Sequence, residues 1–241
     1  MEARVPSADA DRFAARRRLT RLLAISPHLD DAVFACGELI AAHPGASVVT
    51  VFAGVPPPAQ PCTGWDVDCG YRGSPEAMRE RRREDRAALA LLGAEPRWLD
   101  FLDAQYAPCA GIERLKLDVR KALNDEVHRL SPDTVALPLG LFHSDHTLVS
   151  RAAVPLVDGA RTWLAYEDAL YRRLPGALHE RITEISASGI DCEPMEPVIS
   201  RTEAKREAVL CYASQLRGLA TAGRPGHADL DAPERYWKLR R

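Results

Sequence analysis

No run in this 241-residue chain approaches the roughly 18 consecutive apolar residues of a membrane-spanning helix, so no membrane span is expected. Neither charge is in excess. The 32 Lys and Arg against 34 Asp and Glu leave a formal net charge of -2, which gives no general drive toward nucleic acid or an anionic membrane. The N-terminus lacks a basic start followed by an apolar core of about 7–15 residues, so no signal peptide is expected and the cytoplasm is the expected compartment. The six cysteines (Cys36, Cys62, Cys69, Cys109, Cys192 and Cys211) lack the paired Cys-x-x-Cys spacing of a structural zinc site. Cys62 and Cys69 bracket a loop where a disulfide is geometrically allowed, but without an export signal free thiols are the expectation. No Gly-x-Gly-x-x-Gly follows the first apolar run, which argues against a dinucleotide-binding module.

What is present is a soluble-type composition, 46% apolar and 27% charged, sufficient for one substantial core. Residues 1–17, ending near Arg16-Arg17-Arg18, read as a poorly ordered extension, and 18–241 as one domain. Strand-like and helix-like segments then alternate. Strands are expected at Leu19–Ile25, Ser47–Phe52, Arg97–Phe101, Thr134–Leu137 and Thr162–Tyr166, and helices at Val33–Ala42, from Ser74-Pro75 to Leu92, at Ile112–Leu130 and at Thr147–Val157. This alternation predicts an α/β fold of three layers, Rossmann-like, with a mainly parallel sheet between helices and ligands at the carboxyl ends of the strands. Residues 54–75 read as a long surface loop. In the tail, Arg181–Ser186 alternates as a strand would, Cys192–Ile199 reads as an edge strand at best, and Arg201–Leu216 as a helix. The last 20 residues read as irregular, with Tyr236-Trp237 tucked back onto the body.

The chemistry gathers in two clusters. Ser26-Pro27-His28-Leu29-Asp30-Asp31 ends the first strand, and His143-Ser144-Asp145-His146 follows the fourth. A parallel sheet brings both to one edge. His and Asp are ordinary zinc ligands, and a catalytic zinc usually takes three protein ligands plus water. His28 and Asp31, three apart, can reach one ion, and a histidine of the second cluster completes the set. Taken singly, Asp30 reads as a helix N-cap, His28 as a satisfied loop histidine, and Asp145 as the cap of the following helix. Trp65 and Tyr71 could stack on a sugar or pin the loop to the body. His43, His128, His179 and His227 read as surface or loop histidines.

The Pro-His-x-Asp-Asp and His-x-Asp-His motifs resemble those of the LmbE-like, or PIG-L-type, zinc-dependent N-deacetylases. The resemblance extends to Glu84-x-x-x-Ala88-x-x-x-Leu92-Gly93, Phe101-Leu102-Asp103-Ala104-Gln105-Tyr106, Tyr166-Glu167-Asp168 with Tyr171, Lys205-Arg206-x-Ala208 with Ser214-Gln215, and Pro233-Glu234-Arg235-Tyr236-Trp237. It covers roughly residues 19–238. It implies a hydrolase that removes an N-acyl group, an acetyl first of all, from an amino sugar or glycosylated small-molecule metabolite. It implies His28, Asp31 and His146 as ligands of zinc, with ferrous iron as the alternative ion. Asp30 would be the general base, His143 would stabilise the oxyanion as an imidazolium or donate a proton, and Asp145 would orient and charge His143. Arg81 and Asp103 match positions where the family contacts substrate; ordinary ion pairs are the bland alternative. Two positions depart from the common pattern, Ala32 in place of Glu and Leu141 in place of a carbonyl-polarising Tyr. Ala32 is shared with a subgroup of antibiotic and specialised metabolism. The same site acting on a non-sugar amide or thiol conjugate is the alternative function. A non-catalytic sugar- or nucleotide-binding module is the remote one.

Overall fold

The computed structural model describes residues 21–107, 111–196, 203–230 and 232–241. The extension expected at residues 1–17 lies outside these, as do the first two residues of the expected first strand and Cys109. All the described strands join one sheet. In chain order the elements are β1 (Leu22–Ser26), α1 (Asp31–Ala41), β2 (Ser47–Thr50), α2 (Gly64–Asp68), α3 (Ser74–Leu91), β3 (Glu95–Trp98), α4 (Ile112–Leu130), β4 (Thr134–Pro138), α5 (Ser144–Ala153), β5 (Thr162–Tyr166), α6 (Ala177–Ala187), β6 (Asp191–Pro194), α7 (Glu203–Leu210), α8 (Ala213–Leu219) and β7 (Tyr236–Arg240).

The strand order is β3-β2-β1-β4-β5-β7-β6. The first five are parallel, and β7 runs antiparallel to both of its neighbours. Strand β1 is all apolar up to Ser26 because both of its faces are covered. Leu22 and Ala24 pack with α1, α3 and α7 on one side. Leu23 and Ile25 pack with α4 and α5 on the other. The chain moves outward from β1 through β2 to β3, then crosses back to β4 on the opposite side of β1. That reversal is a topological switch point, where an α/β sheet opens a crevice at the carboxyl ends of its strands. Because β1 and β4 pair directly, with Ala24 opposite Ala136, the loops that follow them leave the sheet side by side.

Three tail expectations are corrected. Arg181–Ser186 is not a strand but part of helix α6. Its buried residues, Arg181 and Ile185, are four apart and share one helical face. The Arg181 guanidinium donates to the Leu139 carbonyl (2.8 Å) and the Ser150 hydroxyl (2.9 Å), so a residue that reads as polar and outward is in fact inside. The expected helix Arg201–Leu216 is two helices, α7 and α8, broken at Cys211-Tyr212; Glu84 accepts from the Ser214 N–H (2.8 Å) and hydroxyl (2.6 Å) at the new start. The irregular C-terminus contains β7, which inserts between β5 and β6. Its burial follows the Tyr236 and Leu239 pair rather than a period of two, so no alternation announces it.

The 54–75 loop contains the short helix α2, started by a reciprocal Thr63/Asp66 capping box. Asp66 also accepts from the Ser74 hydroxyl (2.7 Å) and the Tyr106 hydroxyl (2.7 Å), which ties the loop to α3 and to the segment after β3. Cys62 and Cys69 are free thiols. The C-terminus is tied to α1 by Glu234. At Cys36 the helix departs from helical geometry, and Glu234 accepts the Glu38 and Leu39 N–H groups at 2.9 and 3.3 Å. Lys205 (2.6 Å) and the Tyr236 hydroxyl (2.5 Å) also donate to this buried carboxylate.

Candidate active site

At the carboxyl edge of β1, Ser26 holds the turn that carries the first cluster. Its hydroxyl donates to the His28 carbonyl at 2.5 Å and accepts the Ala32 N–H at 3.0 Å. The Tyr166 hydroxyl donates to the Ile25 carbonyl from β5 (2.8 Å). The chain therefore turns sharply at Pro27, and His28, Asp30 and Asp31 face the crevice. Asp30 occupies the N-cap position of α1 but makes no capping hydrogen bond, so its carboxylate is not spent on the helix.

The second cluster leaves β4 through Leu139-Gly140-Leu141-Phe142. Gly140 has φ +87°, and a Cβ there would stand 2.6 Å from Ser150 Cβ and 2.9 Å from the His146 carbonyl, so this turn needs glycine. His143 is the N-cap of α5; its Nδ1 accepts the Asp145 N–H at 3.3 Å. Capping therefore falls to His143 and not to Asp145.

His28 and Asp145 lie 117 positions apart in the chain, yet His28 Nε2 is 3.0 Å from Asp145 Oδ2. On the other side of that ring, His28 Nδ1 lies 3.1 Å from Asp31 Oδ2. His146 Nε2 lies 3.1 Å from the same Asp31 oxygen. His146 Nδ1 is 2.6 Å from Asp168 Oδ1. The arrangement is a chain of five side chains, Asp145–His28–Asp31–His146–Asp168. Each histidine spends one nitrogen on an outer carboxylate and turns the other toward Asp31. This is how proteins fix the tautomer and aim of metal-binding imidazoles. One carboxylate and two imidazoles, with ligand atoms all within 4.8 Å of one another, form a donor set of the right chemistry and size to hold a divalent ion. Three tetrahedral ligands at about 2.0–2.1 Å would stand roughly 3.3 Å apart, close to the separations seen.

A second group, His28, His143 and Asp145, also falls within 4.8 Å, but there the His28 nitrogen is already hydrogen-bonded to Asp145. The Asp145 carboxylate binds His28 and the Ala104 N–H (3.2 Å). It was expected to orient His143. Its hydrogen bonds run to His28 and Ala104; toward His143 it offers its backbone N–H to the ring and the charge of its carboxylate.

The electrostatics follow from this packing. Burial raises Asp31, but His146 and His28 outweigh it and hold the carboxyl well below its ordinary value. Burial lowers His146, but Asp31 and Asp168 prevail and raise it to about 9. His28 is likewise carried well above its ordinary value by Asp103, Asp145 and Asp31 against the pull of burial. At Asp30 burial outweighs the opposing charges of His28 and Arg81. Burial first, then the charge of Asp31, push it up to about 7. Burial, then the charges of His28 and His146, lower His143 to about 4. With Nδ1 accepting, His143 is a neutral imidazole that presents Nε2–H.

These groups line a cavity of about 320 Å³ together with Arg81, Asp103, Trp65, Tyr171, Gln215 and Arg224. Arg81 is buried on α3, its Nη2 lies 3.8 Å from Asp66, and its Nε has no hydrogen-bond partner among the described residues. Asp103 accepts from the Gln105 N–H (3.0 Å) and Nε2 (2.9 Å) and lies 3.9 Å from His28 Nε2. Trp65 donates to Gln215 (3.2 Å), and the Arg224 guanidinium covers its ring at 5.1 Å. Tyr71 is not among the residues lining this cavity. Two residues quoted only as part of the family resemblance, Asp168 and Tyr171, stand at the centre of the site. The available signal was positional: Asp168 follows β5 directly, as His28 follows β1.

An open, mainly parallel sheet, a His–Asp–His group able to hold a metal ion at its switch point, and a buried carboxylate beside it are the parts a hydrolase of this fold would use. The family model of PIG-L, GlcNAc-PI de-N-acetylase, matches residues 23–157, more than half of the chain, and the chain belongs to this family of N-deacetylases. Among relatives, 2'-N-acetylparomamine deacetylase of Streptomyces fradiae is 28% identical over an alignment of 246 positions that covers 95% of this chain and 85% of that protein. The A40926 pseudoaglycone deacetylase structure superposes with a TM-score of 0.74 at 29% identity, covering 92% of this chain and 98% of that one. The zinc-inhibited form of a teicoplanin deacetylase superposes with a TM-score of 0.72 at 26% identity, with the same coverage.

Proposed function

We propose that this protein removes an N-acetyl group from an amino-sugar unit of an antibiotic-type metabolite, with His28, Asp31 and His146 as ligands of a zinc or ferrous ion. The observation that carries the reading is Asp30, a buried carboxylate with no capping bond and a pKa near 7, placed directly beside the donor set. The named relatives act on paromamine, A40926 and teicoplanin intermediates. A cavity of about 320 Å³ lies at the low end of small-molecule sites, which suits a single sugar ring with the rest of the metabolite outside.

When bound, the ion supplies Lewis acidity to the amide carbonyl. The chain's own groups do the remaining work. Asp30 takes one proton from the attacking water as its oxygen bonds to the carbonyl carbon. The His143 Nε2–H donates to the developing oxyanion. Asp30 then passes that proton to the amide nitrogen, the C–N bond breaks, and acetic acid and the free amine leave. Asp145 and Asp168 hold the two histidines, and Arg81 and Asp103 bind hydroxyls of the sugar. Trp65 forms the wall against the ring.

No helix among the described residues is long and apolar enough to cross a membrane. The free thiols of Cys62 and Cys69 support a cytoplasmic step. The test is acetate release from N-acetylglucosaminyl and N-acetylparomamine-type substrates by zinc- or iron-loaded protein. Product with wild type and none with Asp30→Asn supports the reading. Inert substrates with fully loaded wild-type protein refute it.

A further inference from the structure

Tyr171 lies in the turn after β5, its N–H donating to the Asp168 carbonyl at 3.0 Å. The same carboxylate residue that backs His146 therefore also anchors the tyrosine. The Tyr171 ring is held on three sides. It stacks on His143 (centroids 6.1 Å apart, 27° between planes), meets the His146 ring edge-on (5.4 Å, 82°), and touches Phe142 (5.5 Å). It also lines the cavity. No hydrogen bond ties its hydroxyl to any described residue, and that oxygen is not sealed away from solvent. Phe142 is itself held at φ +60°, an uncommon conformation for a bulky residue, and is 73% exposed. The turn is thus built to bring an aromatic face against Tyr171 rather than to bury Phe142. Leu141, two residues before His143, is buried and its side chain offers no donor.

We propose that the Tyr171 hydroxyl is a second oxyanion donor, hydrogen-bonding the carbonyl oxygen beside His143 Nε2 as the tetrahedral intermediate forms. The proposal rests on the deacetylase reading above. The Tyr171 and His143 rings stand face to face and both line the cavity, so the phenol and the imidazole border the same space. A phenol is protonated at neutral pH and donates without charge. Tyr171 transfers no proton: the water proton still passes through Asp30 to the amine, and the C–O bond formed and C–N bond broken are unchanged. A donor that strengthens only as charge develops lowers the barrier without tightening the ground-state complex.

The experiment is Tyr171→Phe, which keeps the stacked ring and removes only the oxygen. Steady-state kinetics on an N-acetylamino-sugar substrate should show kcat reduced by about 10²–10³-fold, as for loss of a single oxyanion donor. KM should stay within about threefold, with metal content and the pH limbs of kcat unchanged. Affinity for a methylphosphonamidate of the same amino sugar, whose tetrahedral phosphoryl group mimics the intermediate, should fall in step with kcat. A variant with wild-type kcat, one altered only in KM, or one whose pH limb shifts because His143 has moved would overturn the proposal. Loaded wild-type protein that neither hydrolyses the substrate nor binds the mimic would overturn the deacetylase reading, and this inference with it.

Discussion

Asp168 is the residue whose removal tests the site most directly. Its carboxylate is buried and has three partners. Oδ1 accepts from His146 Nδ1 at 2.6 Å, and Oδ2 accepts the N–H groups of Gly140 and Leu141 at 2.8 Å each. All three partners are donors, so the site needs an acceptor on both sides. Asp168→Asn preserves shape but supplies one acceptor and one donor. If the amide oxygen faces His146, the NH₂ confronts two buried N–H groups, and each unsatisfied buried donor costs about 1–3 kcal/mol. If the NH₂ faces His146, Nδ1 must become the acceptor and the proton moves to Nε2, the nitrogen that points at Asp31 and would bind the ion. Either way the donor set is weakened. Loss of such an outer partner typically costs 10–100-fold in metal affinity, or about 1.4–2.7 kcal/mol at about 1.4 kcal/mol per tenfold. The assay is competition with a chelator for zinc, with thermal unfolding of the ion-free protein alongside. The expected result is a 10–100-fold weaker zinc affinity and a lower melting temperature. An Asp168→Asn variant that binds zinc as tightly as wild type would refute the assignment of His146 as an ion ligand held by Asp168.

Asp30→Asn should lower kcat by about 10²–10⁴-fold, as for loss of a general base, while the variant still takes up its ion. In wild type the base must be deprotonated, so kcat/KM should fall as pH drops through a limb at or below about 7, displaced downward by the bound cation; a wild-type profile flat to pH 4 would contradict this. Without its ion, His146 titrates near 9, above its unfolded value, so its charge stabilises the ion-free protein fully below pH 6.5 and that contribution is lost as pH rises through about 9. Ion uptake near neutral pH must therefore expel protons, and calorimetry in two buffers of different ionisation enthalpy should show this release and an affinity that grows with pH up to about 9. Lys205→Met leaves Glu234 buried without its 2.6 Å cationic partner and should destabilise the fold by about 3–5 kcal/mol, read as a lower denaturation midpoint; an unchanged midpoint would show that the pair is not needed.

Much of the fold was legible because its determinants are local. Helix Ile112–Leu130 and strand Thr162–Tyr166 are found at their expected bounds, since periodicity and the flanking stop residues act within a few positions. The tail was less legible. Strand β7 exists because β5 and β6 leave a gap between them, and no alternation within Tyr236–Arg240 reports that gap. Helix α6 was misread because Arg181 is inward, a fact set by the Leu139 carbonyl and Ser150 across the chain.

The site divides along the same line. The residues alone determined that two groups of His and Asp end two apolar strands, and that an α/β sheet would bring them to one edge. His28, Asp30, Asp31, His143, Asp145 and His146 could all be named on that basis, because each lies within a few positions of a strand end. Only the tertiary structure decided which carboxylate serves which imidazole, with Asp145 on His28 and Asp168 on His146, and which ring stands over His143. Those pairings depend on β1 lying next to β4 and β4 next to β5. Hydrogen bonds are angstrom-scale contacts between segments far apart in the chain, and sequence periodicity carries no record of which strands become neighbours.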